Sequence, residues 1–361
     1  MRPEPTGEQR ELQEAVRGLL SREVDPDRLL RWENEPAACD PVLARTVAEL
    51  GWIGLGLPTA SGGGGADLSD VACLVEECAR GLLPRPLLGA IRSADALATL
   101  DPADPLLPDL ASGRGRLALA LDEPGGRDPR GWKTALSGPR GARVVDGEKA
   151  YVPDAEGSDV HLVAARDGGS TAFALVDRRT PGVSVQALRG FGGDRQGHVG
   201  YRAAAVLREI AATDEALARV QRRQAALALA EMTGGMAAVL EMTVEYVKMR
   251  EQFGQKIAVF QAVRHQVADM GTTFTAARHL AWQTITRIAA GAPRDVEEAS
   301  AIAWVGQAFK RVCWTAHHLH GGAGFVVEHR LRFHGERAQS LCIRWAPEAP
   351  ALREIAAALL D

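Results

Sequence analysis

The stretch Arg250-Glu251-Gln252-Phe253-Gly254-Gln255-Lys256-Ile257-Ala258-Val259-Phe260-Gln261 separates two long segments of helical periodicity in this 361-residue chain. It predicts a helix that ends near Arg250, a Phe-Gly turn, and a second helix that starts after the turn. A guanidinium at a helix end can hold a phosphate through two parallel hydrogen bonds, and the Phe253 ring offers an apolar face to a flat ligand. An ordinary turn with a solvated arginine is the alternative.

Composition restricts the class of protein. The net charge of −4 gives no reason to expect nucleic acid or an anionic membrane as a partner, and 46% hydrophobic residues suit a helix-rich soluble protein. Five cysteines without a C-x-x-C pair favour reduced thiols over a disulfide framework or a zinc site. No signal peptide is expected, and no apolar run approaches the ~20 residues of a membrane-spanning helix. We therefore expect a cytoplasmic protein without a membrane span.

Helical periodicity dominates residues 1–113. Apolar residues recur at i, i+4, i+7 and i+8 from Leu12 to Leu20, which predicts a helix over 5–23 with Thr6 as its N-cap. Further helices are predicted over 41–50, 67–82 and 90–100. The glycines Gly62 to Gly65 could form an anion-binding nest, but no Lys or Ser/Thr follows at P-loop spacing, which favours a mobile loop.

Short β-prone runs replace this pattern between residues 114 and 212, separated by turns such as Asp146-Gly147 and Pro181-Gly182. The predicted strands are 117–121, 133–136, 143–145, 160–164, 171–176 and 183–185. Long helices are then predicted over 217–250, 262–291, 296–319 and 331–343, which suit a four-helix bundle. The predicted fold is α+β, with domains at 1–113, 114–212 and 213–361.

Motifs in all three parts resemble the acyl-CoA dehydrogenase family, and in particular its shorter, heteromer-forming members of actinobacterial type. The matching motifs are Glu8-Gln9-Arg10, Glu49 to Leu55, Val75-Glu76-Glu77, Glu123-Pro124-Gly125, Asp146 to Lys149, Arg250 to Asp269, and His320 to Phe325. The resemblance implies an N-terminal helical domain, a small central antiparallel β-barrel or sheet domain, and a C-terminal four-helix bundle.

The resemblance also implies an activity and its partners. In this family a glutamate removes the α-proton of an acyl thioester and the β-carbon passes a hydride to FAD N5. The chain is therefore expected to be a flavoprotein oxidoreductase that acts on CH–CH bonds of an acyl-CoA or related thioester. A homo- or hetero-oligomer, dimer or tetramer, is expected, and an electron-transfer flavoprotein is a candidate electron acceptor.

Cofactor-binding residues are carried over from the family, in which each flavin lies between two subunits. Arg250 is expected to bind the pyrophosphate, and Gly321 and Gly322 to let the backbone approach the cofactor, because they lack a Cβ. His318 stands where relatives often carry Gln. The full expected set is Arg250, Gln252, Phe253, Gln261, His318, Gly321, Gly322, Glu123, Pro124, Gly125 and Tyr151.

The segment that receives the flavin departs from the family pattern. The segment Asp122 to Asp128 resembles the family motif Thr-Glu-Pro-Gly-Ala-Gly-Ser-Asp, but Asp122 stands in place of the threonine. A carboxylate therefore replaces the hydroxyl that faces the polar edge of the flavin in the family. Pro153 replaces the residue that faces flavin N5 and has neither a hydroxyl nor an N–H to offer. Tyr151 can still stack on a ring.

The catalytic base is missing from its usual place. That position falls on Trp345, which cannot accept a proton, and the family's alternative position falls on Gln224. Glu231 is the nearest replacement, in an apolar run two turns along the same helix, and is the predicted base. A structural carboxylate satisfied by a neighbouring helix is the alternative. His317 and His320 lie at i, i+3, but no third ligand follows at a recognisable spacing, so no metal site is predicted.

Four accounts follow from these residues. The chain is a self-sufficient dehydrogenase with a relocated base, or a non-catalytic subunit that lends Arg250 and its Gly-Gly turn to another chain's flavin. Heteromers of the second design, some of which act on steroid side-chain thioesters, are known in the family. A helical interaction protein without flavin, and an oxidase or hydroxylase, are the remaining accounts.

Overall fold

Helices occupy both ends of the chain and strands its middle, in a computed structural model that describes residues 5–35, 38–126, 131–210, 213–346 and 348–360. Contacts divide the chain into two units. The helical unit comprises Met1–Asn34, Asp67–Leu83 and Ala225–Asp361, and the sheet unit comprises Glu35–Ala66 and Pro84–Gln224. The three-domain division at residues 113 and 212 stays a prediction, and residue 212 lies outside the described residues.

The helices follow the sequence periodicity closely. In chain order they are α1 (Gly7–Glu23), α2 (Pro26–Asn34), α3 (Pro41–Glu49), α4 (Leu68–Arg80), α5 (Arg85–Leu100), α6 (Leu107–Ala111), α7 (Asp214–Met249), α8 (Gln261–Ala289), α9 (Asp295–His320), α10 (Arg330–Trp345) and α11 (Glu348–Leu360). Thr6 caps α1 as predicted, in a reciprocal pair of 3.1 Å hydrogen bonds with Gln9. α5 begins five residues earlier than predicted, because Pro86 is tolerated in a first helical turn. The short α2 and α6, and the C-terminal α11, were not predicted.

Two adjacent glycines bring α7 close to its neighbours in the helical unit. A Cβ at Gly234 would overlap the backbone carbonyl of Glu76 on α4, and a Cβ at Gly235 would overlap the ring of Phe309 on α9. By length and composition, α7 could cross a membrane, with a mean hydropathy of 1.3 over its most apolar window. The sequence had predicted no such segment. Because 67% of that window is buried, it has the character of a core helix.

The helix α10 joins the ends of other helices in the same unit. The Arg330 guanidinium donates to the carbonyl of Val24 at 2.8 Å, and the Arg337 guanidinium donates to the carbonyl of Leu83 at 2.9 Å. Between them on α10, His334 is completely buried. Burial holds the pKa of His334 well below its ordinary value, and the charges of Arg337 and Arg330 lower it further.

This buried histidine predicts a loss of stability in acid. The folded state keeps His334 neutral, whereas the unfolded chain takes up a proton as pH falls through about 6.5. Its contribution is therefore fully present above pH ~6.5 and is lost as pH falls toward the depressed folded pKa, by about 1.4 kcal/mol per pH unit. We expect the free energy of unfolding, measured in urea, to fall less between pH 7.5 and 5.5 in His334→Leu than in the wild type.

The exposed His279 on α8 is the matched control for this measurement. His279→Leu is expected to keep the full acid loss of the wild type. Equal losses in His334→Leu and the wild type would contradict the assignment.

The sheet unit is built on one mixed sheet. Its strands are β1 (Leu117–Ala120), β2 (Ala135–Ser137), β3 (Val144–Pro153), β4 (Val160–Asp167), β5 (Ser170–Asp177), β6 (Val183–Arg189), β7 (Arg195–Ala205) and β8 (Arg208–Ile210). The order is β6-β7-β3-β2-β4-β5-β8, and β1 pairs with β4. Most strand pairs are antiparallel, as predicted, but β1 and β2 both run parallel to β4. Residue alternation shows which face of a strand is buried but not the direction of its partner.

Strand β7 was missed although it lies inside the sheet. Its residues include Gly197 and Gly200, which have low β-propensity. Pairing with β3 on one side and β6 on the other overrides that propensity. Val199 and Tyr201 of β7 point into the core of the sheet unit.

The glycine run is a packed turn, which corrects the prediction of a mobile loop. The N–H groups of Gly63, Gly64 and Gly65 donate to the carbonyls of Pro58, Gly54 and Leu57. A Cβ at Gly63 would overlap Leu57, so the glycines serve close packing. Because these N–H groups already have partners, they form no anion nest.

All five cysteines are buried and form no disulfide, as expected. Burial raises the pKa of each thiol, which keeps the reactive thiolate form scarce.

Candidate functional site

The helix break falls where the sequence predicts it. α7 ends at Met249, and Arg250 enters a two-stranded hairpin of β9 (Glu251–Gln252) and β10 (Gln255–Lys256). Phe253 and Gly254 form its two-residue turn, both with positive φ (56° and 78°), as primed hairpin turns require. α8 then begins at Gln261, which is exposed in its first turn.

The hairpin presents an exposed arginine and an exposed phenylalanine. The Arg250 side chain is exposed, and within the described parts of the chain it has no ion pair or hydrogen bond. Phe253 is 92% exposed, and its only described ring contact is edge-on to Phe260 at 6.1 Å. Gln252 is also exposed and donates only to the neighbouring carbonyl of Glu251. An exposed aromatic ring on a strained backbone is typical of a binding surface.

The Gly-Gly turn lies beside a cavity in the helical unit. α9 ends at His320, and Gly321 adopts φ +58° and ψ −141°, a conformation close to a region that only glycine occupies readily. A Cβ at either Gly321 or Gly322 would meet no atom within 4 Å, so both face open space. The cavity of about 360 Å³ is lined by Trp314, His317, His318, Gly321, Gly322 and Phe325.

These features fit one end of a flavin dinucleotide. The open glycines would let a cofactor lie against the backbone, and the exposed Trp314 and Phe325 rings offer apolar faces to a flat group. The Arg250 guanidinium, which has no partner among the described residues, is chemically suited to a pyrophosphate. Arg250, Gln252, Phe253 and Gln261 form one segment of the helical unit, and His318 with the two glycines forms the other.

The remaining predicted cofactor residues belong to the sheet unit. The Glu123 carboxylate points inward, where it accepts hydrogen bonds from the N–H groups of Lys133 (2.7 Å) and Thr134 (3.0 Å) and pairs with Lys149 at 3.1 Å. Pro124 and Gly125 follow it on the surface. A cofactor contact from Glu123 would therefore have to come from its backbone. Arg127 and Asp128 of this segment lie outside the described residues.

Buried charges support this segment. Burial alone raises the pKa of the Glu123 carboxyl, but its N–H donors and Lys149 outweigh that effect and hold the pKa below its ordinary value. Lys149 has no exposed surface, and burial lowers its pKa to about 8. Its ammonium also lies 4.0 Å from the ring centre of Trp132. The Glu123–Lys149 ion pair therefore fixes the start of the surface segment Pro124-Gly125.

Tyr151 lies on an irregular part of β3. Its φ is +54°, which is rare for an aromatic residue, and the pairing of β3 with β7 shifts register between Lys149 and Val152. The Tyr151 ring is half exposed and tilted by 52° against His198, with the ring centres 5.6 Å apart. About half of the side-chain surface is therefore accessible from solvent.

None of the three positions Glu231, Trp345 and Gln224 presents an accessible carboxylate. Glu231, the predicted base, is 2% exposed and lies inside the helical unit close to Cys78. Trp345 lies at the end of α10 beneath the Arg344 guanidinium, 5.2 Å from its ring centre. Gln224 is fully buried and exchanges hydrogen bonds with Arg92, at 3.0 Å through its amide nitrogen and 3.2 Å through its amide oxygen.

One residue that lines the cavity was not identified as a site residue from the sequence. Trp314 lies four residues before His318 and therefore on the same face of α9. That spacing was the signal that could have identified it. Among the described residues no group of three His, Cys, Asp or Glu side chains could hold a metal ion.

Comparison with known proteins gives consistent matches over most of the chain. Residues 6–113 match the model of the acyl-CoA dehydrogenase N-terminal domain, and residues 216–347 match that of the C-terminal domain. Acyl-CoA dehydrogenase IpdE2 of Mycobacterium tuberculosis (strain ATCC 25618 / H37Rv) is 29% identical over 336 residues, which cover 92% of both chains.

Two solved structures share the fold over nearly their whole length. The ChsE4-ChsE5 complex from Mycobacterium tuberculosis has a TM-score of 0.90 and 26% identity, covering 99% of this chain and 98% of that chain. A variant of the Tcur3481-Tcur3483 steroid ACAD has a TM-score of 0.89 and 28% identity, covering 98% of both chains. The expected helix–sheet–helix fold is thereby confirmed. The chain belongs to the acyl-CoA dehydrogenase family, whose members are flavin-dependent oxidoreductases that act on CH–CH bonds.

Proposed function

We propose that this chain is one subunit of an FAD-dependent acyl-CoA dehydrogenase, in which it binds one end of the cofactor while another subunit supplies the catalytic base. One contrast supports the proposal. Arg250 and the Gly321–Gly322 cavity are open to a ligand, whereas the predicted base Glu231 is buried among helices. A carboxylate that is only 2% exposed offers little of its surface to a substrate in this conformation.

Each predicted cofactor residue of the helical unit then has a defined role in binding FAD. Arg250 would bind the pyrophosphate of FAD, with Gln252, Phe253 and Gln261 beside it. Gly321 and Gly322 would leave room for the cofactor, and the His318 side of the cavity would offer a polar edge. Bound FAD supplies the hydride acceptor for desaturation of an acyl thioester between its α and β carbons.

The sheet unit would contribute less to cofactor binding than it does in typical relatives. Tyr151 would stack on a ring, and the Glu123-Pro124-Gly125 segment would present its backbone. Pro153 offers no hydrogen-bond donor. These positions support a subunit whose own flavin-receiving surface is weakened.

The partners follow from the same reasoning. Both similar solved structures carry names of two-component assemblies, and one is named a steroid ACAD, which supports a hetero-oligomer acting on a fatty acyl or steroid side-chain thioester of CoA. An electron-transfer flavoprotein is the proposed electron acceptor. The cytoplasm is the proposed compartment, because the buried cysteines suit a reducing environment.

A self-sufficient dehydrogenase with Glu231 as its base is the second candidate. One observation favours it: Glu231 lies on α7, the same helix that ends at Arg250. It requires an opening of the bundle around Glu231. An interaction protein without flavin leaves the exposed, unpaired Arg250 unexplained, and nothing in the site favours an oxidase or hydroxylase.

Visible absorption tests the proposal. We expect the chain purified alone to be colourless, because it carries only part of the pocket, and to become yellow when co-expressed with a neighbouring gene for a second family member. A chain that purifies alone with one FAD per subunit and bleaches anaerobically with an acyl-CoA would contradict it.

The variant Glu231→Gln separates the two candidates. Because the proposed base belongs to the partner, we expect kcat of the assembled enzyme to stay within about twofold. Loss of a general base costs about 10²- to 10⁴-fold, so a decrease of that size with unchanged flavin content would make Glu231 the base. Glu241→Gln is the control, since Glu241 lies on the same helix in an ion pair with Arg80 at the surface.

A further inference from the structure

Tyr246 and His320 connect two elements of the helical unit that are far apart in sequence. Their rings stack with centres 4.3 Å apart and planes inclined by 22°. The Tyr246 hydroxyl also donates a 3.1 Å hydrogen bond to the backbone carbonyl of His320. One side chain therefore contacts both the ring and the backbone of the other residue.

Each of the two residues is attached directly to a cofactor element. The backbone N–H of Arg250 donates to the Tyr246 carbonyl at 2.8 Å, in the last turn before the helix break. His320 is the last residue of α9 and immediately precedes Gly321. A short series of contacts thus runs from Arg250 through Tyr246 and His320 to the Gly-Gly turn.

The His320 ring is itself held in place. Its Nδ1 donates to the Ala316 carbonyl at 2.8 Å, and its ring is edge-on to the ring of His329, with the ring centres 5.2 Å apart. A Cβ on Gly324 would come within 2.9 Å of the His320 Cβ, so the glycine turn folds back closely over this residue. His320 is 3% exposed. A displaced His320 would therefore displace the turn.

The end of α7 at Arg250 has few other contacts that would hold it in place. The residues from Lys248 to Lys256 are all exposed, so little packing restrains the helix end. Phosphate binding by a guanidinium depends on placement, since displacements of about 1 Å are enough to weaken such sites strongly. The Tyr246 ring and hydroxyl, one turn before Arg250, restrain that end against α9.

We infer that Tyr246 and His320 are a positioning pair that holds the Arg250 helix end and the Gly321–Gly322 turn at a defined separation. The inference rests on the proposed function, in which both elements bind the same FAD. Neither residue is among those that line the cavity, so both would act through the elements to which they are attached.

Hydrogen–deuterium exchange of the full chain tests the coupling without any cofactor. We expect Tyr246→Leu, which removes the stack and the hydrogen bond, to speed amide exchange in both 250–256 and 321–326 by about tenfold. Tyr246→Phe keeps the ring and loses only the hydroxyl, so about a threefold change is expected. Faster exchange in only one of the two segments would overturn the inference that the pair couples them.

Tyr201→Phe is the matched control. It removes a buried tyrosine hydroxyl that bonds to His161 at 3.0 Å, and both residues belong to the sheet unit, whereas the two tested segments belong to the helical unit. We expect it to lower stability without changing exchange in 250–256 or 321–326. A control with the same exchange pattern would show a general loss of stability and overturn the pair.

FAD titration of the assembled enzyme tests the role of the pair. We expect Kd for FAD to rise about tenfold in Tyr246→Leu and about threefold in Tyr246→Phe, while kcat at saturating FAD stays within about twofold. Coupled exchange with an unchanged Kd would overturn the positioning role. An assembly whose wild type binds no FAD would instead overturn the proposed function, and the exchange result would still decide whether the pair couples the two segments.

Discussion

Arg250→Met is expected to weaken FAD binding by the assembled enzyme by about 100-fold and to leave the melting temperature of the chain unchanged. The guanidinium is suited to two charge-assisted hydrogen bonds to a pyrophosphate, and losing both costs about 3 kcal/mol. Stability is unaffected because the exposed side chain has no ion pair or hydrogen bond with the described residues. Methionine keeps the length of the side chain and removes only the charge and the donors.

Flavin content after gel filtration and calorimetric titration with FAD measure this effect. The FAD affinity of Arg250→Lys is expected to lie between those of the wild type and Arg250→Met, since an ammonium keeps the charge but not the planar fork. Arg179→Met is the control, because Arg179 is an exposed arginine in the sheet unit that pairs with Asp177 next to a turn. An Arg250→Met assembly that retains full flavin would remove the central residue of the proposed site.

Gly322→Leu is expected to abolish detectable FAD binding while the chain folds normally. A Cβ at Gly322 meets no atom within 4 Å, and its φ lies outside the positive range that strains other residues, so a leucine is accommodated without strain. Its side chain would occupy the open space beside the cavity, where we propose that the cofactor binds. Because a leucine side chain would overlap the volume proposed for the cofactor, we expect a loss of affinity of at least about 100-fold.

The melting temperature and FAD titration of the same sample test this prediction together. Gly169→Leu is the matched control, since Gly169 is also exposed with no atom near its Cβ position and lies on the turn between β4 and β5. Normal folding with unchanged flavin affinity in Gly322→Leu would show that the cavity is not the cofactor site. Gly321→Ala should differ from Gly322→Leu by losing stability, because φ +58° with ψ −141° strains any side chain.

Much of the helical architecture could be predicted from the sequence because its signals are local. Thr6 and Gln9 form the predicted capping box, and the Phe-Gly turn after Arg250 lies where the periodicity breaks. The sheet was harder to predict. Strand β7 has weak β-propensity and exists through its two neighbours, and the parallel pairings of β4 leave no trace in residue alternation.

The site divides in the same way. Arg250, Gly321 and Gly322 could be named from motif positions, and all three are exposed in the structure. The inward direction of the Glu123 carboxylate could not be read from its motif, because its partners Thr134 and Lys149 are 11 and 26 residues away.

The sequence by itself determined the helix–sheet–helix order, the family, and the arginine at the helix break, because capping, periodicity and motif spacing are properties of neighbouring residues. Only the tertiary structure decided that Glu231 is buried and that Gln224 is bound to Arg92. It also decided that Tyr246 lies against His320, 74 residues further along the chain. Burial and contact depend on which distant segments pack together, and no local pattern specifies that choice.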